Sequence, residues 1–254
     1  MQKSPVSKDD VVHAPHAPLT DYYPSEDARR GWVADMFDST APDYNRIERI
    51  LGLGTGPWYR RQALLRAGLA PGMRTLDVGV GTGLVAQQAV AILGDAALVT
   101  GVDPSPGMLA NTVVPAGVAL VEGRAERIPF PDNSFDFLSM GYALRHISDL
   151  SLAFAEFHRV LKPGGRLCIL EITCPEKPLQ KLLLKTYARH VVPMLARLAA
   201  RSGNTSVLWR YYWDTIEACA VPADVMRTLE GAGFASVKRH LELGMFSEYQ
   251  AQKP

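Results

Sequence analysis

The chain has 254 residues, is 47% hydrophobic, and carries 27 Lys and Arg against 26 Asp and Glu. That length and apolar content suffice for one main domain with a full core, and a net charge of +1 excludes a global field that would recruit nucleic acid or another acidic polymer. Cys168, Cys174 and Cys219 fall in no CxxC or Cys/His spacing, which excludes a disulfide framework and structural zinc and suits a reducing cytoplasm.

Residues 1–27 are rich in proline and mixed charge, include His13 and His16, and lack helix or strand period, so they read as a mobile tail before a single domain over 28–254. No segment has signal-peptide character or about 18 uncharged apolar residues in a row, so neither export by that route nor a membrane span is expected. From Ala28 to Leu51, Trp32, Met36, Phe37, Tyr44, Ile47 and Ile50 recur near helical spacing, and Ala41-Pro42 predicts a break between two helices. A basic amphipathic helix follows over Trp58 to Ala67. Strands are predicted at 74–78, 98–102, 119–122, 135–140 and 166–172, with helices at 83–93, 106–113 and 150–161 between them. Ser105-Pro106 supplies an N-cap and a first-turn proline, and Lys162-Pro163-Gly164-Gly165 turns into the fifth strand. A helical insertion over 175–220, a helix at 223–232 and terminal strands at 237–243 and 247–252 complete the chain. Apolar strands alternating with helices predict a seven-stranded, mostly parallel sheet covered on both faces.

The most informative stretch is Asp77-Val78-Gly79-Val80-Gly81-Thr82-Gly83, where three alternating glycines fall at a strand-to-helix turn and Asp103 follows twenty positions beyond. Bare backbone there admits a nucleotide-type ligand at a helix N-terminus, and an acid at the tip of the second strand accepts hydrogen bonds from ribose hydroxyls. The spacing is GxGxG instead of the GxGxxG of dinucleotide sites. An aminoacyl sulfonium fits it better than a dinucleotide.

In order, TLDVGVGTG, GVDPSPGML, GRAERIPFPDNSFD, YALRHISD and RVLKPGGRL resemble the Rossmann-like class I S-adenosylmethionine-dependent methyltransferases. The likeness is to the ubiquinone/menaquinone biosynthesis C-methyltransferase family in particular, over about Val33 to Gly244. The earlier motifs are shared by many methyltransferases. The segment from Ala143 to Asp149 and the upstream Met36 to Tyr44 are the more specific part, similar to the family's LRNVxD and VFxxVAxxYD. The resemblance implies S-adenosyl-L-methionine as donor, with Tyr44 lying across it, Gly79, Gly81 and Gly83 admitting its methionine portion, Asp77 orienting the loop or meeting its ammonium, and Asp103 holding its ribose. Met108 and Ala125 would contact adenine, with core packing the competing role for Met108.

Arg145 and His146 follow the fourth strand, where the methyl group would be handed over. A phenol that deprotonates pushes density onto its ortho carbon, so a base or cation beside it assists C-methylation. Arg145 would stabilise phenolate charge, or else pair with Asp149 on the next turn. His146, with a reference pKa of about 6.5, would be the base, or else a surface or helix-capping histidine. No metal is expected. The acceptor implied is a prenylated quinol or related phenolic ring. Transfer to oxygen or nitrogen of a small metabolite is the rival reaction, and a non-catalytic cofactor-binding scaffold is the rival of another class.

Four departures from the family lie on the acceptor and adenine sides. Arg124 stands where an acid or amide is usual and His146 where Asn is usual. The segment YLxESIxxHP reads Tyr211-Tyr212-Trp213-Asp214-Thr215-Ile216, with two extra residues before Pro222, and the terminal LHRGxK is replaced by Ser247-Glu248-Tyr249-Gln250-Ala251. Seven basic residues, Lys177, Lys181, Lys185, Arg189, Arg197, Arg201 and Arg210, stand against Glu176 among leucines. That composition suits peripheral contact with an anionic membrane through 177–201, a solvated cap helix, or a homodimer contact. The aromatic run Trp209, Tyr211, Tyr212 and Trp213 would line an aromatic pocket or belong to the core.

Overall fold

In a computed structural model that describes residues 14–51, 54–192, 194 and 205–254, seven strands form one sheet in the order β3-β2-β1-β4-β5-β7-β6. They are β1 (Thr75–Val78), β2 (Val99–Asp103), β3 (Ala119–Glu122), β4 (Phe135–Gly141), β5 (Leu161–Ile172), β6 (Ala235–Glu242) and β7 (Phe246–Gln252). The first five pair in parallel, as expected for strands joined through helices. Only β7 runs antiparallel, to both β5 and β6. A tight hairpin reverses it: Met245 N–H donates to Glu242 O at 3.2 Å, and both central residues, Leu243 and Gly244, have positive φ, the twist-matched turn for adjacent strands. The expected mostly parallel seven-stranded sheet is the one found.

Alternation along the central strands divides the core. Leu138, Met140, Leu167 and Ile169 face α5 (Leu150–Val160) and α8 (Pro222–Gly231), packing on Phe154, Phe157 and Leu229. Phe137, Cys168 and Leu170 point the other way, onto Ala63 and Leu64 of α2 (Gly56–Arg66) and Val85, Ala86 and Ala89 of α3 (Leu84–Leu93). Successive side chains of a strand leave opposite faces, so two apolar faces need two helical layers.

Four details differ from the sequence expectations. The break at Pro42 is absent: α1 runs unbroken from Glu26 to Leu51. Proline removes a helical hydrogen bond at a cost of about 3 kcal/mol, and tertiary anchoring offsets it, because Asp38 accepts from Gly107 N–H at 2.9 Å and from the Ser105 hydroxyl. Residues 1–13, with His13, lie outside the described part, but His16 and Tyr23 are buried, and Tyr22 packs on Trp32 at 5.4 Å. The tail expectation therefore does not hold for that stretch, because aromatic contacts supply the ordering energy that composition alone did not reveal. The helix after β2, α4 (Pro106–Ala110), stops three residues early, and β5 begins at Leu161 instead of Arg166. Within 175–220, α6 (Pro178–Thr186) continues as a π-helical turn over Tyr187–Val191, and α7 (Thr205–Ala218) returns over the sheet. Arg197 and Arg201 lie outside the described residues, as does the side chain of Trp209.

Candidate functional site

The site is assembled where β1 and β2 end side by side. Val78 pairs with Val102, so Asp103 emerges level with the start of the glycine turn. Its carboxylate is held by two backbone donors, Gly81 N–H to Oδ2 at 2.8 Å and Ser105 N–H to Oδ1 at 2.9 Å. Ser105 caps α4, its Oγ accepting from Met108 N–H at 2.9 Å. Each Asp103 oxygen keeps acceptor capacity beyond its backbone partner, since a carboxylate offers about four lone-pair sites.

The three glycines have different reasons to be glycine. All have positive φ, +69° at Gly79, +52° at Gly81 and +91° at Gly83. A Cβ on Gly79 would stand 2.8 Å from Ala143 Cβ, and one on Gly83 would stand 2.6 Å from Val114 Cγ1. At Gly81 the nearest atom is Gly79 O at 3.9 Å. That glycine borders open space, while Gly83 serves packing and caps α3.

That space is a cavity of about 440 Å³. Seven of the ten predicted site residues border it: Tyr44, Gly79, Gly81, Asp103, Met108, Ala125 and His146. Asp77, Gly83 and Arg145 lie behind the wall. Asp77 is buried and ties β1 to β4 by accepting from Ser139 Oγ at 2.8 Å. Burial raises its carboxyl to about 7, against that hydrogen bond. Burial also raises Asp103, to about 6, against the two backbone donors. Both shifts follow from removing a carboxylate from water.

Arg145 is 0% exposed and forms an ion pair with Glu171, also 0% exposed, on β5. The pairing with Asp149 suggested by spacing does not occur; Asp149 instead caps α5, accepting from Ser151 N–H at 2.8 Å and Leu152 N–H at 3.1 Å. The 3-10 turn over Leu144–His146 points successive side chains apart, so Arg145 turns inward and His146 reaches the cavity. His146 packs on Phe37 at 5.1 Å and stacks on Tyr211 at 5.6 Å. It is neither a surface nor a capping histidine. Burial, together with Arg145, Arg29 and His16, holds it well below the ordinary imidazole range, so it is neutral.

Other wall residues gave little sequence signal. Thr82, inside the glycine turn, donates to Asn45 Oδ1 at 2.5 Å and so fastens α1 to the loop. Tyr142 borders the cavity with φ of 60°, a backbone state that favours glycine and that side chains occupy mainly where surroundings enforce it. Arg60, from α2, lies over its ring at 5.3 Å. Tyr212, from the aromatic run, also reaches the wall, and its hydroxyl meets that of Tyr44 at 2.6 Å. Tyr211 and Trp213 are core. Arg124, at the departing position, pairs with Glu126 at 3.3 Å. Among the described residues no group of three or more His, Cys, Asp or Glu could hold a metal ion.

The profile of the ubiE/COQ5 methyltransferase family matches residues 24–253. The chain is 32% identical to the ubiquinone/menaquinone biosynthesis C-methyltransferase UbiE of Geotalea daltonii over 229 residues, 87% of this chain and 96% of that protein. It is 34% identical to a demethylmenaquinone methyltransferase of a Mycobacterium species over 223 residues, 87% of this chain and 94% of the relative. Among solved structures, a Thermotoga maritima S-adenosylmethionine-dependent methyltransferase superposes with a TM-score of 0.61 at 22% identity, covering 87% of this chain and 99% of that one. The [4+2]-cyclase SpnF superposes at 0.64 with 18% identity, covering 96% and 99%. These two likenesses concern the fold alone.

Proposed function

Because the chain belongs to the ubiE/COQ5 methyltransferase family and is an S-adenosylmethionine-dependent methyltransferase, we propose that its acceptor is a prenylated quinol or related phenolic ring, methylated on carbon. One observation carries the reading. One cavity is bordered both by a glycine turn with a ribose-type carboxylate and by an aromatic wall of Phe37, Tyr44, Tyr142, His146 and Tyr212. The relatives named for ubiquinone, menaquinone and demethylmenaquinone lend the acceptor class.

The residues present fit the donor. Gly81 leaves open space where a side chain would stand, and Asp103 retains acceptor sites for a vicinal diol. When bound, S-adenosylmethionine supplies an electrophilic methyl on sulfur. Asp103 would hold the ribose, Met108 and Ala125 would flank the adenine, and Tyr44 would close the site from α1. Asp77, behind the wall, would keep the turn in place by bracing β1 on β4. His146 stays neutral and is a weak base whose Nε2 is buried and unpaired among the described residues, so it would shape the aromatic wall and would not store the acceptor's proton. The aromatic wall excludes water, which strengthens charge stabilisation at the reacting ring.

Docking at an anionic membrane through α6 is part of this proposal. Leu179, Leu182 and Leu183 are 68%, 60% and 62% exposed and fall at helical spacing, an apolar stripe suited to shallow insertion where a prenylated acceptor resides, while Lys181 and Lys185 beside them share Glu217 at 3.3 and 3.5 Å. Among the described residues no helix is long and apolar enough to cross a membrane. Transfer to oxygen or nitrogen is the second reading, favoured by His146 at a departing position beside the cavity. Incubation with methyl-labelled donor and a demethylated naphthoquinol under reducing conditions, followed by mass spectrometry of the product, tests the choice. Label on a ring carbon is expected; label on an ether or amine would transfer the assignment to the second reading.

A further inference from the structure

Arg145 stands in an arrangement that a phenolate-binding arginine would not need. It is off the cavity wall, and its side chain has no exposure. Glu171 pairs with it and also accepts from the backbone N–H of Arg145 at 3.3 Å and of Ile172 at 2.8 Å. The guanidinium Nε and Nη2 find no hydrogen-bond partner among the described residues. What the guanidinium does meet is the face of Tyr212, with its carbon 4.0 Å from the ring centroid. Tyr212 in turn borders the cavity and joins hydroxyls with Tyr44 at 2.6 Å.

We propose that the Tyr44–Tyr212 hydroxyl pair is the recognition point for a ring oxygen of the acceptor, and that Arg145 is a positioning residue acting through the face of Tyr212 without touching the acceptor. The proposal rests on the phenolic-acceptor reading above. A cation over an aromatic face is attracted by the ring quadrupole and draws density from the ring, so the hydroxyl of Tyr212 becomes the stronger donor of the pair. The ring is also held in one orientation, because a desolvated guanidinium clamped by a carboxylate has no alternative site. Keeping a buried ion pair carries a desolvation cost that well-packed apolar residues would avoid, and service to Tyr212 accounts for its presence.

The test uses the full chain saturated with S-adenosylhomocysteine, titrated under nitrogen with 1,4-dihydroxynaphthalene and with 1,4-dimethylnaphthalene, which keeps the shape but has no ring oxygen to accept a hydrogen bond. The native protein should prefer the diol by about tenfold, the worth of one good hydrogen bond. Tyr212→Phe and Arg145→Met should each cut that preference to threefold or less, with S-adenosylhomocysteine affinity unchanged, and the double variant should cut it no further. Arg145→Lys, which keeps a cation, should restore part of it. Since Arg145→Met leaves Glu171 buried without its partner, the paired replacement Arg145→Met with Glu171→Met is measured alongside and should behave the same. Full diol preference in any folded Arg145→Met protein, or losses that multiply in the double variant, would overturn the role of Arg145. A native protein that binds both probes equally would overturn the recognition point. Binding of neither would instead refute the phenolic-acceptor reading.

Discussion

Asp103→Ala is the sharpest perturbation of the donor end. In the structure each carboxylate oxygen already takes one backbone N–H, at 2.8 Å from Gly81 and 2.9 Å from Ser105, and has room for one ribose hydroxyl. Hydrogen bonds to a charged group are worth about 1.5–3 kcal/mol each, so losing two removes about 3–6 kcal/mol. At about 1.4 kcal/mol per decade, S-adenosylmethionine affinity should fall by roughly two to four orders of magnitude. Proton linkage gives an independent check. Burial raises Asp103 to about 6, so in the free protein the carboxylate is ionised at pH 8 and protonated at pH 5. Ribose needs the ionised acceptor; native affinity should therefore fall as pH drops through 6, by at most tenfold per unit, and rise to a plateau above it. Asp103→Ala should lose that slope along with the affinity. Isothermal titration calorimetry at pH 5–8, with circular dichroism to verify folding, reads both quantities. Affinity within threefold of native would refute the assignment of ribose to Asp103; a slope that remains in the variant belongs to the buried Asp77, raised to about 7.

Gly83→Ala should destabilise the free protein by about 1–2 kcal/mol from its left-handed backbone alone, with the 2.6 Å approach to Val114 added; a melting-temperature loss of about 2–8 °C follows at this chain length, and a loss below 1 °C would contradict it. Gly81→Ala, whose new methyl meets no atom closer than 3.9 Å, should lose donor affinity out of proportion to stability, as calorimetry and thermal melts together would show. His146→Ala should lower turnover more than donor affinity, while His146→Asn should keep most of the rate. Because His146 is held well below the usual imidazole range, kcat should show no His146 titration between pH 6 and 8, and a limb in that range that disappears in His146→Asn would refute its neutrality. Replacing Leu179, Leu182 and Leu183 together by Glu should abolish co-sedimentation with anionic vesicles without changing the melting temperature, since all three are exposed.

Local patterns were read correctly where local physics governs. The glycine turn and Ser105-Pro106 ahead of α4 each follow from a few neighbouring residues whose backbone preference leaves one answer. Pro42 misled for the same reason: the local rule predicts a break, and the contacts of Asp38 with Ser105 and Gly107, 67 and 69 positions away, override it. Tyr22 and Tyr23 lie in a stretch whose composition resembles a tail, yet Trp32 and Tyr211 bury them.

Residue types along the chain determined the sheet, the glycine turn and the carboxylate at the second strand's tip, because strand alternation and left-handed turns are decided within a few residues. Only the tertiary structure decided that Arg145 faces Glu171 and Tyr212 while its neighbour His146 faces the cavity. It also decided that Tyr212 meets Tyr44 across 168 positions. Adjacent residues on a tight turn point apart, and which of them meets a ligand depends on what the rest of the chain packs against each side.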